Sequence, residues 1–392
     1  MPVKFLSTNS GISDTKNATI GRFETPIKAI IMKESDLCSK NNDLVKALFS
    51  VQKSNKFGES VVMQNDFDIF APTDEGGDAT ADTFKETASK FIKHATFKKQ
   101  FNVSLEMMED ANYSLVTQKA KRFARSYYKT RNLFASKLLT GATAGANGNA
   151  TSVTFGPTGA TKTFDITTAD GKALFSAAHT VSPNRFHHVG AVSTELVAQV
   201  LTAAVCEIRN MKDENNYSMG YTADTVVIPC DDHALEAAVK KVLGSEFGNN
   251  AEGALSGSIN LHYGNWTLIV DPLWTRTVKT SHPMIVFSSE ARDNLMAAPF
   301  FDRKCLTVNA FVDQNSLDYV WTGAARWSAG FVTHKWACLV DLLDTSTTAL
   351  FDSSATGTSG ATTTESIALF GTDNTGAGGG AGGGTGGGEG NT

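Results

Sequence analysis

Ser104–Thr140 reads SLEMMEDANYSLVTQKAKRFARSYYKTRNLFASKLLT, with neither proline nor glycine. Glu106, Glu109 and Asp110 open the segment, and Lys119, Lys121, Arg122, Arg125, Lys129, Arg131 and Lys137 follow. That order sets negative charge at the positive end of a helix dipole and positive charge towards the other end. Gly141 suits the left-handed residue that often closes a helix, so one helix is predicted to stop there. At 1.5 Å per residue it would be roughly 55 Å long. A compact domain of 100 to 200 residues measures only about 26 to 33 Å across. A rod of that length either spans several layers or serves as a spine for neighbouring chains.

Leu105, Met108, Ala111, Leu115, Val116, Ala120, Phe123, Tyr127, Phe134 and Leu138 recur mostly at steps of three, four or seven. This is the stripe of an amphipathic helix that packs on a core. No sustained Leu or Ile heptad supports a coiled coil. The remaining surface carries the basic residues. It reads as a solvated or inter-subunit face before it reads as a phosphate site.

Working outward, Asn42–Val51 (NDLVKALFSV) is expected as a short helix after an extended, mixed arm over residues 1–36. Residues 58–103 read as a long projecting β-hairpin. Val61, Val62, Met63, Phe67, Ile69 and Phe70 lie on one arm, and Phe91, Ile92, Ala95, Phe97, Phe101 and Val103 on the other. The Gly- and acid-rich tip between them carries Asp74, Glu75, Asp78 and Asp82. The return arm is basic, with Lys85, Lys90, Lys93, Lys98 and Lys99. An isolated two-stranded ribbon is marginal in water, so this one needs a surface, and another chain can supply it.

Beyond the spine, Gly141–Gly190 is expected to be largely irregular, with short strands near Val153–Phe155 and Thr163–Ile166. A helix over Ser193–Asn210 should be capped by Ser193. Strand DTVVIP (224–229), a helix capped by Asp231 or Asp232 and ended by Gly244, and strands NWTLIV (265–270) and MIVF (284–287) follow. Such alternation argues an α/β domain. Cys305–Val340 reads as antiparallel strands. Past Asp352 the chain is Ser, Thr and Gly around one apolar island, IALF at 367–370, which predicts a flexible tail.

Composition narrows the function classes. A net charge of −5 over 392 residues argues against tight nucleic-acid binding through a basic surface. No apolar run approaches a membrane span, and MPVKFLSTNSGISDT has no apolar core of a secretory signal. The five cysteines are scattered and odd in number, with no CxxC pair, and are expected to be reduced and mostly buried. No GxSxG elbow, phosphate loop or HExxH is present, and the tail's GxGxxG strings follow no strand. His179, His187 and His188 with Asp170 make the one local cluster that can be imagined around a metal. A Gly-rich loop is a poor frame for an ion, so no metal, cofactor or catalytic residue is assigned. Asp231–Asp232–His233 is better explained by helix capping.

The order of parts is specific. FKKQFNVSLEMMEDANY (97–113), DGKALFSAAHT (170–180), DTVVIPCDDHALEAAVKKVL (224–243) and SLDYVWTGAARWSAGFVTHKWACLV (316–340) resemble segments of the major capsid proteins of tailed bacteriophages. Their fold is shared with herpesvirus capsid floors, and the resemblance is closest to Mu-type major head subunits. It implies an α+β fold with an N-terminal arm and short helix (1–57), an extended hairpin loop (58–103) and a peripheral domain with the spine (104–192). An axial α/β domain (193–304), peripheral closing strands (305–352) and a flexible tail (353–392) complete it. It further implies a non-enzymatic subunit of an icosahedral shell around double-stranded DNA, built of hexamers and pentamers. Portal, scaffold or decoration proteins would be further partners. DNA would be met non-specifically on the inner face, no membrane would be engaged, and assembly would occur in host cytoplasm. Asp74, Glu75, Asp78, Asp82, Lys98, Lys99, Arg122 and Arg125 are the expected subunit contacts. The alternatives are a metal-dependent hydrolase using His179, His187 and His188, or a non-capsid virion module such as an adhesin.

Overall fold

A computed structural model describes residues 27–38, 43–64, 86–109, 113–144, 150–176, 183–213, 215–246 and 260–344, together with 69, 70, 72–75, 78, 81 and 179. The tail, the island at 367–370 and the first 26 residues lie outside them.

The spine is helix α4, Tyr113–Thr143, about 46 Å long at 1.5 Å per residue. A short helix α3, Leu105–Glu109, leads to it, and residues 110–112 between the two lie outside the described ones. Its buried stripe is Val116, Ala120, Phe123, Ala124, Phe134, Ala135, Leu138, Leu139 and Ala142. Leu115, expected in the stripe, is 45% exposed. The adjacent Val116 takes the core position, since successive helical residues point about 100° apart. Ala111 and the side chain of Met108 lie outside the described residues.

Gly141 does not end the helix. The chain stays helical to Thr143, and Gly141 is not among the positive-φ residues. A Cβ at Gly141 would sit 2.1 Å from Val153 Cγ2. The glycine is there so that strand β5 can cross close to the helix.

Two sheets clasp this spine. The larger has the order β7–β13–β10–β8–β9, with β7 at Arg185–Val189, β8 at Thr225–Pro229, β9 at Thr267–Asp271, β10 at Ser281–Phe287 and β13 at Ala337–Leu343. Its side chains alternate between two cores. Val226, Ile228, Met284, Val286, Cys338, Val340 and Leu342 meet helices α5 (Thr194–Asn210) and α6 (His233–Gly244). Val227, Ile285, Phe287, Ala337 and Leu339 join the core around the end of α4. A sheet covered on both faces needs near-continuous apolar strands, which is why VVIP and MIVF read as they do. The predicted caps hold: Ser193 accepts from Leu196 N at 3.1 Å and Asp232 from Leu235 N at 3.1 Å. Of the five free cysteines only Cys338 is buried, whereas Cys206 and Cys305 are exposed, against expectation. Cys206 lies on the outward face of α5, and Cys305 at an irregularity in β11.

The second sheet has the order β1–β11–β12–β4. Strand β1 (Ser50–Lys53) pairs in parallel with β11 (Pro299–Val312), β11 runs antiparallel to β12 (Tyr319–Ala329), and β12 antiparallel to β4 (Ala95–Val103). Its aromatic face meets the spine. Phe97 stacks on Trp327 at 3.9 Å, and Phe101 stacks on Trp321 at 5.2 Å. Phe134 of α4 stands edge-on to Phe97, Phe155, Phe164, Phe300 and Trp327. Phe155 and Phe164 come from the small hairpin of β5 (Ser152–Phe155) and β6 (Lys162–Asp165). Arg131 of α4 and Asp302 of β11 form a buried ion pair at 2.7 Å. The Arg131 guanidinium also lies over the Phe300 ring at 4.8 Å.

Four expectations change. Residues 27–38 form helix α1 instead of an extended arm, because Ile27 and Ile31, one helical turn apart, bury against Val116, Ala120 and Phe123. Helix α2 spans only Leu44–Leu48, and the chain turns into β1 where Ser50 N donates to Ala298 O. The ribbon is β2 (Gly58–Gln64) against β3 (Glu86–Lys93); the chain leaves it at His94 and becomes β4 of the sheet. Phe97, Phe101 and Val103 are therefore core residues. Finally, β13 does not stay with β11 and β12 but enters the larger sheet, antiparallel to β10 and parallel to β7.

The helix–hairpin crossing is testable. Gly141→Ala gains about 1 kcal/mol of helix propensity but overpacks against Val153, at a typical cost of 1–3 kcal/mol. Overpacking should win, lowering stability by about 1 kcal/mol in urea titrations. Adding Val153→Ala should recover part of the loss, giving a favourable coupling in the double-mutant cycle.

Candidate functional site

The ribbon's strands β2 and β3 pair only with each other among the described strands and stand outside both larger sheets. Its base is anchored: Val61 and Ile92 pack with Phe301 and Val332. Lys90, expected as a free basic residue of the return arm, is buried. Its Nζ donates to Thr167 O and pairs with Asp165 Oδ2 at 3.3 Å. Burial pushes the Lys90 ammonium below its usual range, opposed by Asp165. At the exit from the ribbon His94 bridges Ser54 Oγ (2.9 Å) and Ser328 Oγ (2.8 Å). On the outward side of the base Phe91 and Phe57 are more than half exposed, with Lys93 Nζ over the Phe57 ring at 4.9 Å, and in the connection beyond β2 Phe70 is fully exposed and Ile69 more than half exposed. Asp74, Glu75 and Asp78 are exposed at the tip, and Asp82 lies outside the described residues.

The other expected contact residues lie elsewhere. Lys98 and Lys99 belong to β4 and are exposed on the second sheet, with Lys99 Nζ donating to Ser126 Oγ at 3.1 Å. They border a groove of about 670 Å³ between α4, β4 and β6. Lys137 and Lys162 also line it, above a floor that includes Phe123, Tyr127 and Trp327. Burial pushes the Tyr127 phenol up to about 12, against the pull of Arg131, so it stays neutral. Arg122 is exposed, and among the described residues it makes no ion pair. Arg125 is engaged by Glu34 of α1. The two arginines, read together from the sequence, therefore have different roles.

The acidic pair before α6 is structural. Asp232 is buried and receives Arg276 Nη1 at 3.1 Å and His282 Nδ1 at 2.6 Å, besides capping the helix. Asp231 accepts from Arg276 N at 3.0 Å and from Lys279. His233 is 88% exposed at the side chain and leaves the group.

The imagined histidine cluster divides. His187 and His188 sit on β7, opposite Asp341 and Leu342 of β13. Asp170 and His179 do meet, and the residue that joins them is His334, with one ligand atom from each within 4.8 Å of the others. Asp170 and His179 lie nine positions apart, whereas His334 comes from a distant segment, so local spacing carried no sign of it. The tight Thr168–Lys172 turn that presents Asp170 was legible only as DGK. Among the described residues no nucleophile–base pair accompanies this group, and the arrangement does not favour a hydrolase.

The comparisons agree with a structural reading. A family model described as phage capsid protein matches residues 86–302, more than half of the 392 residues. No curated relative matches the chain. Among solved structures the chain is similar to the capsid of an empty GTA particle, at 11% identity over 77% of this chain and 90% of that one, with a TM-score of 0.46. It is also similar to a virus-like particle from Pyrococcus furiosus (10% identity, 81% and 98% covered, TM-score 0.42). A third similarity is to the capsid of Myoviridae phage XM1 (14% identity, 76% and 91% covered, TM-score 0.42). This chain belongs to the phage capsid protein family. It is a major capsid protein, a structural component of a bacteriophage virion whose copies associate into a shell.

Two histidines with lowered pKa, His187 and His262, make the subunit's stability depend on pH. Burial, aided by Arg185, pushes His187 down to about 4, and burial also lowers His262. Both stay neutral in the folded chain, while an unfolded histidine takes a proton near 6.5. The unfolded state therefore binds more protons between about pH 4 and 6.5, and stability falls as pH drops through that window. Urea midpoints should decrease between about pH 7 and 4.5, by an amount of order 1–3 kcal/mol for His187. His187→Gln should flatten that dependence.

Proposed function

We propose that this subunit forms an icosahedral shell around double-stranded DNA, as hexamers and pentamers, with the ribbon of one copy resting on the next. The single observation that carries this reading is the exposed apolar and acidic chemistry at the far end of the ribbon. Phe70 and Ile69 expose large apolar surface in the same connection as Asp74, Glu75 and Asp78, while the ribbon's base is fastened to its own chain. Apolar residues arranged this way mark an interaction surface. The groove beside the spine offers complementary chemistry, with Lys98, Lys99, Lys137 and Lys162 around an aromatic floor. An acidic, apolar tip from a sister copy fits it by charge and by burial. Each contact is small, and a closed shell multiplies them.

In this reading the α/β part about residues 193–304 faces the centre of each capsomer, and the spine and second sheet form the periphery. The role is non-enzymatic. Portal, scaffold and decoration proteins are further partners, DNA meets the inner face non-specifically, assembly takes place in host cytoplasm, and the subunit is of the Mu-type head group. The four quoted sequence stretches support that last point.

Two experiments test the reading. Deleting Asp74–Asp82 should leave the melting temperature within about 2 °C of the parent, because the ribbon base holds the fold. Shells should vanish from negative-stain images, and normal shells from this variant would refute the reading. Arg122→Glu should likewise reduce particle yield without a change in melting. Arg125→Glu should instead lower melting, since it sets a second acid against Glu34 and loosens α1.

A further inference from the structure

We infer that the cleft between the end of α4 and the spine-facing side of the larger sheet is a binding site for a phosphate-class oxyanion, anchored by the Arg185 guanidinium. The inference is independent of how the shell is built.

Arg185 is a buried cation with no acceptor of its own. It sits on the edge strand β7, in register with Leu339 of β13, and shares the spine-facing side of the sheet with Leu339 and Asp341. Only 6% of it is exposed, and its Nε and Nη1 are buried without a hydrogen-bond partner. Those two nitrogens carry three N–H donors. Buried charges are as a rule paired and hydrogen-bonded, because an ion taken out of water otherwise loses its hydration without return. Asp341 is the carboxylate whose field reaches Arg185. Its Oδ1 accepts from Ser281 Oγ at 2.5 Å, and among the described residues no ion pair joins it to Arg185. Burial pushes the Arg185 guanidinium below its ordinary range and the Asp341 carboxyl above its own, so neither group fully compensates the other.

Arg185 lines a cleft of about 540 Å³. The sheet gives one side of it, Lys137 and Thr140 of α4 a second, and residues 274–278 after β9 a third. Lys137 is exposed and makes no ion pair among the described residues. Arg276 also lines the cleft, but Asp231 and Asp232 answer its charge. Lys137 and Arg185 are the cations left over, against the single carboxylate of Asp341. The carbonyl end of α4 also opposes an anion, and Lys137, near that end, offsets it. Thr154, Thr275 and Thr277 bring exposed hydroxyls to the same space. Charged and hydroxyl donors arriving from three sides suit a tetrahedral oxyanion, which accepts from every direction. A carboxylate or a chloride ion leaves most of these donors unused. The volume admits a phosphomonoester as well as free phosphate. Bound there, the ion ties the edge strand β7 to the spine beside Gly141 and Val153, which also line the cleft.

The test uses the full chain in phosphate-free buffer. Titration calorimetry with inorganic phosphate should show one ion per chain with a Kd of about 1 mM or tighter. The phosphomonoester dAMP is titrated alongside: equal affinity assigns the site to the phosphate group alone, and tighter binding of dAMP assigns it to an organic phosphate. Saturating phosphate should raise the melting temperature by about 2–5 °C over sodium chloride of equal ionic strength. Arg185→Met keeps the length of the side chain and removes its charge. It should weaken binding at least about 30-fold and abolish the phosphate-dependent rise. Without phosphate it should melt no lower than the parent, because the unpaired buried charge is gone. Lys137→Gln, at an exposed position, should weaken binding about 2- to 5-fold, while Lys241→Gln on α6 leaves it unchanged. Absence of binding to the parent, unchanged affinity in Arg185→Met, or an equal phosphate-dependent rise in both chains would overturn the inference. Where Arg185→Met does not fold, unchanged affinity in Lys137→Gln overturns it instead.

Discussion

Phe134 is the contact on which the rest of the subunit leans. It projects from the spine into rings supplied by five strands: Phe97 of β4, Phe155 of β5, Phe164 of β6, Phe300 of β11 and Trp327 of β12. Edge-on aromatic pairs contribute beyond their buried area, and here one ring makes several at once. Because the strands belong to different parts of the chain, this cluster fixes where the second sheet and the small hairpin sit relative to the helix. Gly141 and Arg131 continue the same seam, one by letting β5 come close and the other by pairing with Asp302. That pair is buried, so its value lies in register more than in net stability.

From this seam the two functional regions separate. The five-stranded sheet buries one face on α5 and α6 and the other on the spine side. The ribbon is the opposite case. Lys90, Val61 and Ile92 hold its base, and beyond it Ile69 and Phe70 expose most of their surface. In the proposed shell that division has a use, because an isolated ribbon is marginal and a neighbouring copy can bury what its own chain leaves exposed.

Most of the fold was legible wherever the signal was local. The stripe of α4, the caps at Ser193 and Asp232 and the apolar runs of β8, β9 and β10 are each set by spacing within about a turn or a strand. The errors share one cause. Gly141 looked like a helix end, yet its role depends on Val153 across the crossing. Residues 95–103 looked like more ribbon, because alternation is the same in a hairpin arm and in a sheet strand. Of the candidate contacts, Arg122 and Arg125 looked alike until Glu34 was placed beside one of them. Helix α1 was missed because Ile27 and Ile31 have meaning only against the spine.

By itself the sequence determined the α+β class, the long helix, the order of elements and the family, since periodicity and capping act over a few residues. Tertiary structure alone decided which strands share a sheet, that β13 crosses to join β10 and β7, and that His334 stands over His179. Those outcomes rest on contacts between residues tens to hundreds of positions apart. No local pattern encodes such contacts, because burial and hydrogen bonding are satisfied only once the whole chain has closed on itself.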